Sequence, residues 1–286
     1  MNNRNFMEMA GEQWADKKFV CVGLDSDQEK IPNLKGIFKE DVLIYVLLFN
    51  TAIIEATRDI AGFYKPNVAF YESMGDLGAE VLKNTITHIH DQAPHVPVIL
   101  DAKRGDIGKT NDHYVKAAFD YFKADAVTIH PYLGKTGMLP FLNQKNKGII
   151  VLSRTSNPDA GEFQDLIVED QESGEKIPFY RKVARNVARS WNENGNCMVV
   201  AGATYPEELQ KVRKDVGEMG ILIPGIGKQG GDLEKTVNAG KNSNKEGMII
   251  NSSSGIIFAA RNEKFAEAAR KETERLDNQI KTILAE

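Results

Sequence analysis

The sequence holds only two cysteines, Cys21 and Cys197, among 286 residues. Each sits inside an apolar, strand-like run, so both read as buried free thiols and not as a disulfide framework. Histidine is also sparse. The five are scattered, and the His88–His90 pair lacks the i, i+4 spacing that places two imidazoles on one helical face. Nothing else has metal-ligand spacing. Long hydrophobic runs are missing as well: no stretch approaches the roughly 18 apolar residues that a membrane span needs. The start lacks the basic segment and apolar run of a secretory signal. Charge is nearly balanced, 36 Lys and Arg against 40 Asp and Glu, for a formal net charge of −4. That argues against a nucleic-acid-binding surface and leaves room for a local basic pocket. The expectation is a soluble, cytoplasmic enzyme with no nucleic-acid partner and no membrane partner.

What the chain does have is alternation. Strand-like runs at Phe19–Leu24, Gly62–Val68, Pro97–Asp101, Ala126–His130, Gly148–Leu152, Met198–Gly202, Ile221–Ile223 and Gly247–Asn251 are separated by segments of helical spacing. Phe179, Val183, Ala184, Val187, Ala188 and Trp191 would form one apolar helical stripe, and Phe265, Ala268, Ala269, Leu276 and Ile280 another. Eight strands alternating with helices favour an α/β fold of the (β/α)8 TIM-barrel type over a doubly wound sheet. An open sheet with fewer strands is the alternative if Ile221–Ile223 or Gly62–Val68 is not a strand. No linker, low-complexity stretch or tandem repeat interrupts the chain, so residues 1–286 read as one domain. Residues 157–178, after the fifth strand, are polar and rich in turn signals and read as a long loop. Asp25–Glu40 is similarly polar.

In parallel α/β folds, chemistry gathers at the C-terminal ends of the strands. The run Asp101-Ala-Lys-Arg-Gly-Asp-Ile-Gly-Lys-Thr110 directly follows the apolar Val96–Leu100. Taken alone, its crowded charges could equally be an ion-paired connecting loop. Other strand ends add Asp25, Lys65 and Asn67, Thr155 and Ser156, Pro224 through Gln229, and Asn251 through Ser254. Pro66 after Lys65 prevents the strand from running straight into a helix, which holds the lysine at the rim. A lone lysine there is ordinarily a snorkelling surface residue; opposite Asp101 and Lys103 it completes an alternation in which each buried charge has an opposite neighbour. The glycine-rich Pro224–Asp232 stretch would let backbone N–H groups approach a phosphate, although a glycine-rich turn by itself is a weak signal.

The run D-x-K-R-G-D-I-x-x-T resembles the signature of the orotidine 5'-phosphate decarboxylases, in their bacterial-type branch. P-G-I-G-x-Q-G-G-D at 224–232 is similar to that family's phosphate loop, and Thr155-Ser-Asn-Pro158 to its T-S-N-P stretch. The resemblance implies conversion of orotidine 5'-phosphate to uridine 5'-phosphate and CO2, without metal or cofactor. Lys65, Asp101, Lys103 and Asp106 would form the catalytic array, with Lys103 stabilising a C6 carbanion and then protonating it. Asp106 and Thr110 would reach into the neighbouring site of a homodimer with shared active sites. Thr155 and Ser156 would bind the pyrimidine amide edge and Gln229 the phosphate, with Asp25, Asn67 and Pro224 completing the substrate-binding set. One position departs from the pattern: Ser254 stands where the family carries a phosphate-binding Arg, and Lys228 is a candidate substitute cation. A Mg2+-dependent sugar-phosphate synthase or decarboxylase of the same barrel superfamily, a non-catalytic nucleotide-binding homologue and a purely structural protein are the competing expectations.

Overall fold

The computed structural model describes residues 4–34, 41–226 and 232–286. Ten strands follow in chain order: β1 (Val20–Leu24), β2 (Phe63–Pro66), β3 (Ile99–Arg104), β4 (Ala126–Ile129), β5 (Gly148–Arg154), β6 (Ile167–Glu169), β7 (Lys176–Pro178), β8 (Cys197–Ala201), β9 (Ile221–Pro224) and β10 (Met248–Ser252). Eight of them make one parallel sheet in the order β2-β1-β10-β9-β8-β5-β4-β3. The two end strands meet as well, through parallel bridges Tyr64↔Val98 and Asn67↔Asp101 and a 3.2 Å bond from the Tyr64 N–H to the Pro97 carbonyl. The sheet therefore curls into a barrel with helices outside. All eight expected strands are present, with no end moved by more than three residues.

Sequence explains why these runs became strands. β1, β4, β8 and β10 are buried along their whole length, as expected for parallel strands whose residues are mostly apolar. Each fully buried Val, Leu or Ile contributes about 1.5–3 kcal/mol relative to exposure. Cys21 and Cys197 are free and buried within β1 and β8, and burial pushes both thiols up to about 12.

The N-terminal helix Phe6–Ala15 seals the end of the barrel where the strands begin. Phe6 packs where a Cβ on Gly148 would come within 2.2 Å of its ring, and the Trp14 indole N–H donates to the Met248 carbonyl at 2.8 Å. Arg4 forks onto the buried Asp125 at 2.8 and 2.7 Å. On the outer ring, Phe49 of helix Val42–Thr57 stacks on Phe258 and on Phe265 of the last helix, Phe265–Ala285.

Residues 157–178 differ from the expected long loop. A helical turn at Gly161–Gln164 leads into the antiparallel β6–β7 hairpin. The polar composition that suggested a loop supplies its anchor: the buried Asp170 accepts from Lys182 (2.8 Å), Arg185 (2.9 Å) and Arg189 (3.1 Å) of the following helical segment. That segment carries the expected stripe, but it changes from α- to π-helical at Val187–Trp191.

Candidate active site

At the ends of β1, β2, β3, β9 and β10 lies a cavity of about 180 Å3 lined by Asp25, Lys65, Asp101, Pro224–Ile226, Asn251 and Ser253–Gly255. Five expected site residues, Asp25, Lys65, Asp101, Pro224 and Ser254, thus converge on one space. The parallel β1–β2 register pairs Gly23 with Lys65 and Leu24 with Pro66, which brings the lysine level with the strand end that leads to Asp25. Pro66 closes the strand and Asn67 caps the next helix, its carboxamide oxygen accepting from the Ala69 N–H at 3.2 Å. The main chain of Asn67 bridges that of Asp101, so β2 and β3 present their charges to each other.

Asp101 is the hub. Its Oδ2 accepts from Lys65 Nζ at 3.0 Å, and its Oδ1 from Lys103 Nζ at 2.7 Å and Thr128 Oγ1 at 2.8 Å. Burial acts to raise the Asp101 pKa, but the Lys65 and Lys103 ammoniums outweigh it and hold the carboxyl well below the usual carboxylate range. Burial likewise opposes charge on Lys65, yet Asp101 and Asp25 together leave its pKa above that of an ordinary lysine. Lys65 and Asp101 are therefore both ionised at neutral pH. Leaving such a pair in a buried site has a desolvation cost, which only near-ideal contacts offset. Lys103 closes the alternation from outside: its side chain is 49% exposed, against 5% for Lys65.

Two acceptors in the cavity have no partner among the described residues, Asp25 Oδ1 and Asn251 Oδ1. Next to the cationic Lys65, they are placed to receive hydroxyl or amide protons from a bound molecule.

Thr155, Ser156, Asp106 and Thr110 are not among the residues that line this cavity. Thr155 and Ser156 follow β5. The Thr155 N–H donates to Gln164 Oε1 at 2.9 Å, and its hydroxyl oxygen accepts from Gln164 Nε2 at 2.8 Å. Ser156 lies so close to Gly202 that a Cβ there would come within 2.9 Å of it. Asp106 and Thr110 make no described contact with the Lys65–Asp101–Lys103 set. Asp106 Oδ1 accepts from the Ile107 N–H at 2.7 Å, while its peptide is clamped by Asn111, which accepts from the Asp106 N–H at 3.0 Å and donates to the Asp106 carbonyl at 2.6 Å. Thr110 is exposed. Gln229 and Lys228 fall outside the described residues.

Thr128, Gln164 and Asn111 escaped the sequence reading. The only signal for Thr128 is a hydroxyl one residue before the end of the apolar Ala126–Ile129 strand; Gln164 and Asn111 lie on connecting helices and carry none.

The fold and the cavity define a class: a parallel β/α barrel of the enzyme type, with paired lysines and aspartates at the C-terminal mouth of its strands. Within that class, the chain belongs to the orotidine 5'-phosphate decarboxylase / HUMPS family, whose model matches residues 18–269. It is 42% identical to the orotidine 5'-phosphate decarboxylase of Cellvibrio japonicus over 283 residues, which is 98% of this chain and 100% of that protein. Against the Dechloromonas aromatica protein of the same name, identity is 44% over 93% of this chain and 94% of the relative. Among solved structures, Leishmania donovani OMP decarboxylase superposes with a TM-score of 0.83 at 32% identity, covering 99% of both chains. An orotidine-monophosphate-decarboxylase from Toxoplasma gondii, so described, superposes at 0.85 with 34% identity over 100% of this chain and 99% of that one.

Proposed function

We propose that this protein decarboxylates orotidine 5'-phosphate to uridine 5'-phosphate and CO2, a step of pyrimidine biosynthesis. The observation that carries this reading is the Lys65–Asp101–Lys103 array: two ammoniums share one carboxylate at the wall of the strand-end cavity. Loss of CO2 leaves an electron pair on C6 of the pyrimidine, and a fixed positive charge beside it lowers the barrier. Lys103, the more exposed of the two lysines, stabilises that carbanion and delivers a proton to C6. Asp101, ionised by its neighbours, faces the substrate carboxylate and fixes the direction of both ammoniums. Asp25, Asn67 and Pro224 bind the substrate, with Thr155 and Ser156 at the pyrimidine amide edge and Gln229 and Ser254 at the phosphate.

The protein acts as a cytoplasmic, single-domain homodimer, in which Asp106 and Thr110 of each subunit complete the partner's site. Support comes from the clamped loop that carries Asp106 and from Ile107, Tyr132, Leu133 and Leu139, exposed large apolar residues in the segments after β3 and β4. Exposed apolar clusters of this kind mark interfaces.

Mg2+-dependent sugar-phosphate chemistry is the second reading, favoured by the family's breadth. Against it, both Asp101 oxygens already accept from lysines or a threonine, which leaves that carboxylate poorly placed to serve as a metal ligand. The test is a spectrophotometric assay with orotidine 5'-phosphate in the presence and absence of EDTA. Decarboxylation that is unaffected by chelator is expected. Turnover that vanishes with EDTA and returns with Mg2+ would move the protein to the sugar-phosphate branch.

A further inference from the structure

The β3–β4 pairing is irregular where the array is built. Leu100 pairs with Val127 and Arg104 with Ile129, so Asp101, Ala102 and Lys103 bulge opposite Thr128 alone. Within the bulge Lys103 has φ +47°, a left-handed conformation that lysine rarely adopts. A bulge redirects side chains and removes ladder partners, and here the Lys103 N–H finds a side chain in place of a backbone carbonyl: it donates to Thr128 Oγ1 at 3.0 Å. The amide can only donate, so the threonine oxygen accepts. Its own hydrogen is then free for Asp101 Oδ1, 2.8 Å away, an ionised carboxylate that can only accept. Thr128 is 1% exposed.

We propose that Thr128 is a positioning residue for the charge array, fixing the bulged Lys103 main chain and one Asp101 oxygen relative to each other through a single hydroxyl. The proposal rests on the functional reading above, in which Lys103 delivers a proton from its place on Asp101. The groups around Asp101 are Lys65 from β2, Lys103 from its own strand, Thr128 from β4 and, beyond Lys65, Asp25 and Cys21 from the β1 side. Among the described residues that hydrogen-bond the Asp101 carboxylate, Thr128 is the uncharged donor beside two ammoniums. It favours the ionised carboxylate by hydrogen bonding while anchoring the strained backbone that aims the proton donor.

Thr128→Val removes the hydroxyl at nearly constant volume, and Thr128→Ser keeps it while removing the methyl group. With both variants checked for folding by thermal unfolding, the valine form should lose ~10- to 100-fold in kcat, the scale of one charge-assisted hydrogen bond. KM should change much less, and the acid limb of the kcat profile should move to higher pH. Serine should restore both the rate and the profile. Equal losses in the two variants, or a valine variant with unaltered rate and acid limb, would overturn the proposal, because both point to packing by the methyl group. If the valine form does not fold, the serine form decides: wild-type rate and profile uphold a role for the hydroxyl, and a loss of ~10- to 100-fold in kcat refutes it. The Asp101 carboxyl carbon, followed by NMR against pH, needs no turnover. It should titrate at higher pH in Thr128→Val than in wild type or Thr128→Ser, and identical titration in all three refutes the proposal. Wild-type protein inactive on orotidine 5'-phosphate would overturn the functional reading alone, since the carboxyl titration still decides the role of Thr128.

Discussion

A hydroxyl at position 254 changes how the cavity can meet a phosphate. Ser254 lines the cavity beside Asn251 and Gly255, but it cannot offer the planar, charged fork that an arginine gives a phosphate. Ser254→Arg should therefore tighten substrate binding and raise kcat/KM by roughly ten- to a hundredfold, since a hydrogen bond to a charged group contributes about 1.5–3 kcal/mol. Steady-state kinetics on both proteins checks this, and an unchanged kcat/KM would mean that position 254 does not face the phosphate. The polar residues of the site were readable from sequence because parallel strands deliver their last residues to one rim; Asp25 and Ser254 follow such strands, and Lys65 and Asp101 lie within them. Thr128 was not readable in the same way. Its importance depends on a register slip between strands about 25 residues apart, and one hydroxyl in a β-branched strand is ordinary until that slip is seen. Asn67, a polar residue at a strand end, was expected as a substrate-binding residue for the same reason; that its side-chain oxygen also caps a helix was not legible.

At the scale of elements, the strands were legible and the hairpin was not. Continuous apolar runs such as Val20–Leu24 have few folds open to them besides a buried parallel sheet. Residues 167–178 are held by charges on the next helical segment, so nothing within the hairpin itself announces it. Gly23 ties the element scale to the site. A Cβ added there would lie 1.9 Å from Ser253 Oγ and 3.1 Å from the Ser253 Cα, so β1 and the turn after β10 touch only because this side chain is absent. Gly23→Ala should fold, because β1 keeps its pairing with β2 and β10, yet displace the Ser253–Ser254 turn. Misplacing part of a site by about an ångström can reduce efficiency by roughly 100-fold, and a drop in kcat/KM of ~10- to 100-fold with nearly unchanged thermal stability is expected. Wild-type kinetics in this variant would show that the turn yields without affecting the cavity.

At the scale of the whole molecule, one end of the barrel is closed and the other open. The N-terminal helix, Arg4 and Trp14 occupy the end where the strands begin, which confines a ligand to the opposite rim. On that rim Asp106 and Thr110 remain apart from the array within a single chain, and the proposed dimer supplies their role. Mixing inactive Lys103→Ala with inactive Asp106→Ala subunits should restore part of the activity, because each heterodimer carries one intact site and one doubly damaged site. No recovery after verified subunit exchange would mean that the sites are not shared. The claim on which everything else depends is that Lys103 stabilises and protonates the C6 carbanion, and its most direct test is turnover of Lys103→Ala under saturating orotidine 5'-phosphate, beside the binding of a substrate analogue. The account predicts a kcat lowered by several orders of magnitude with the analogue still bound, as expected when proton donor and charge are removed together. Near-normal turnover in that variant would contradict it.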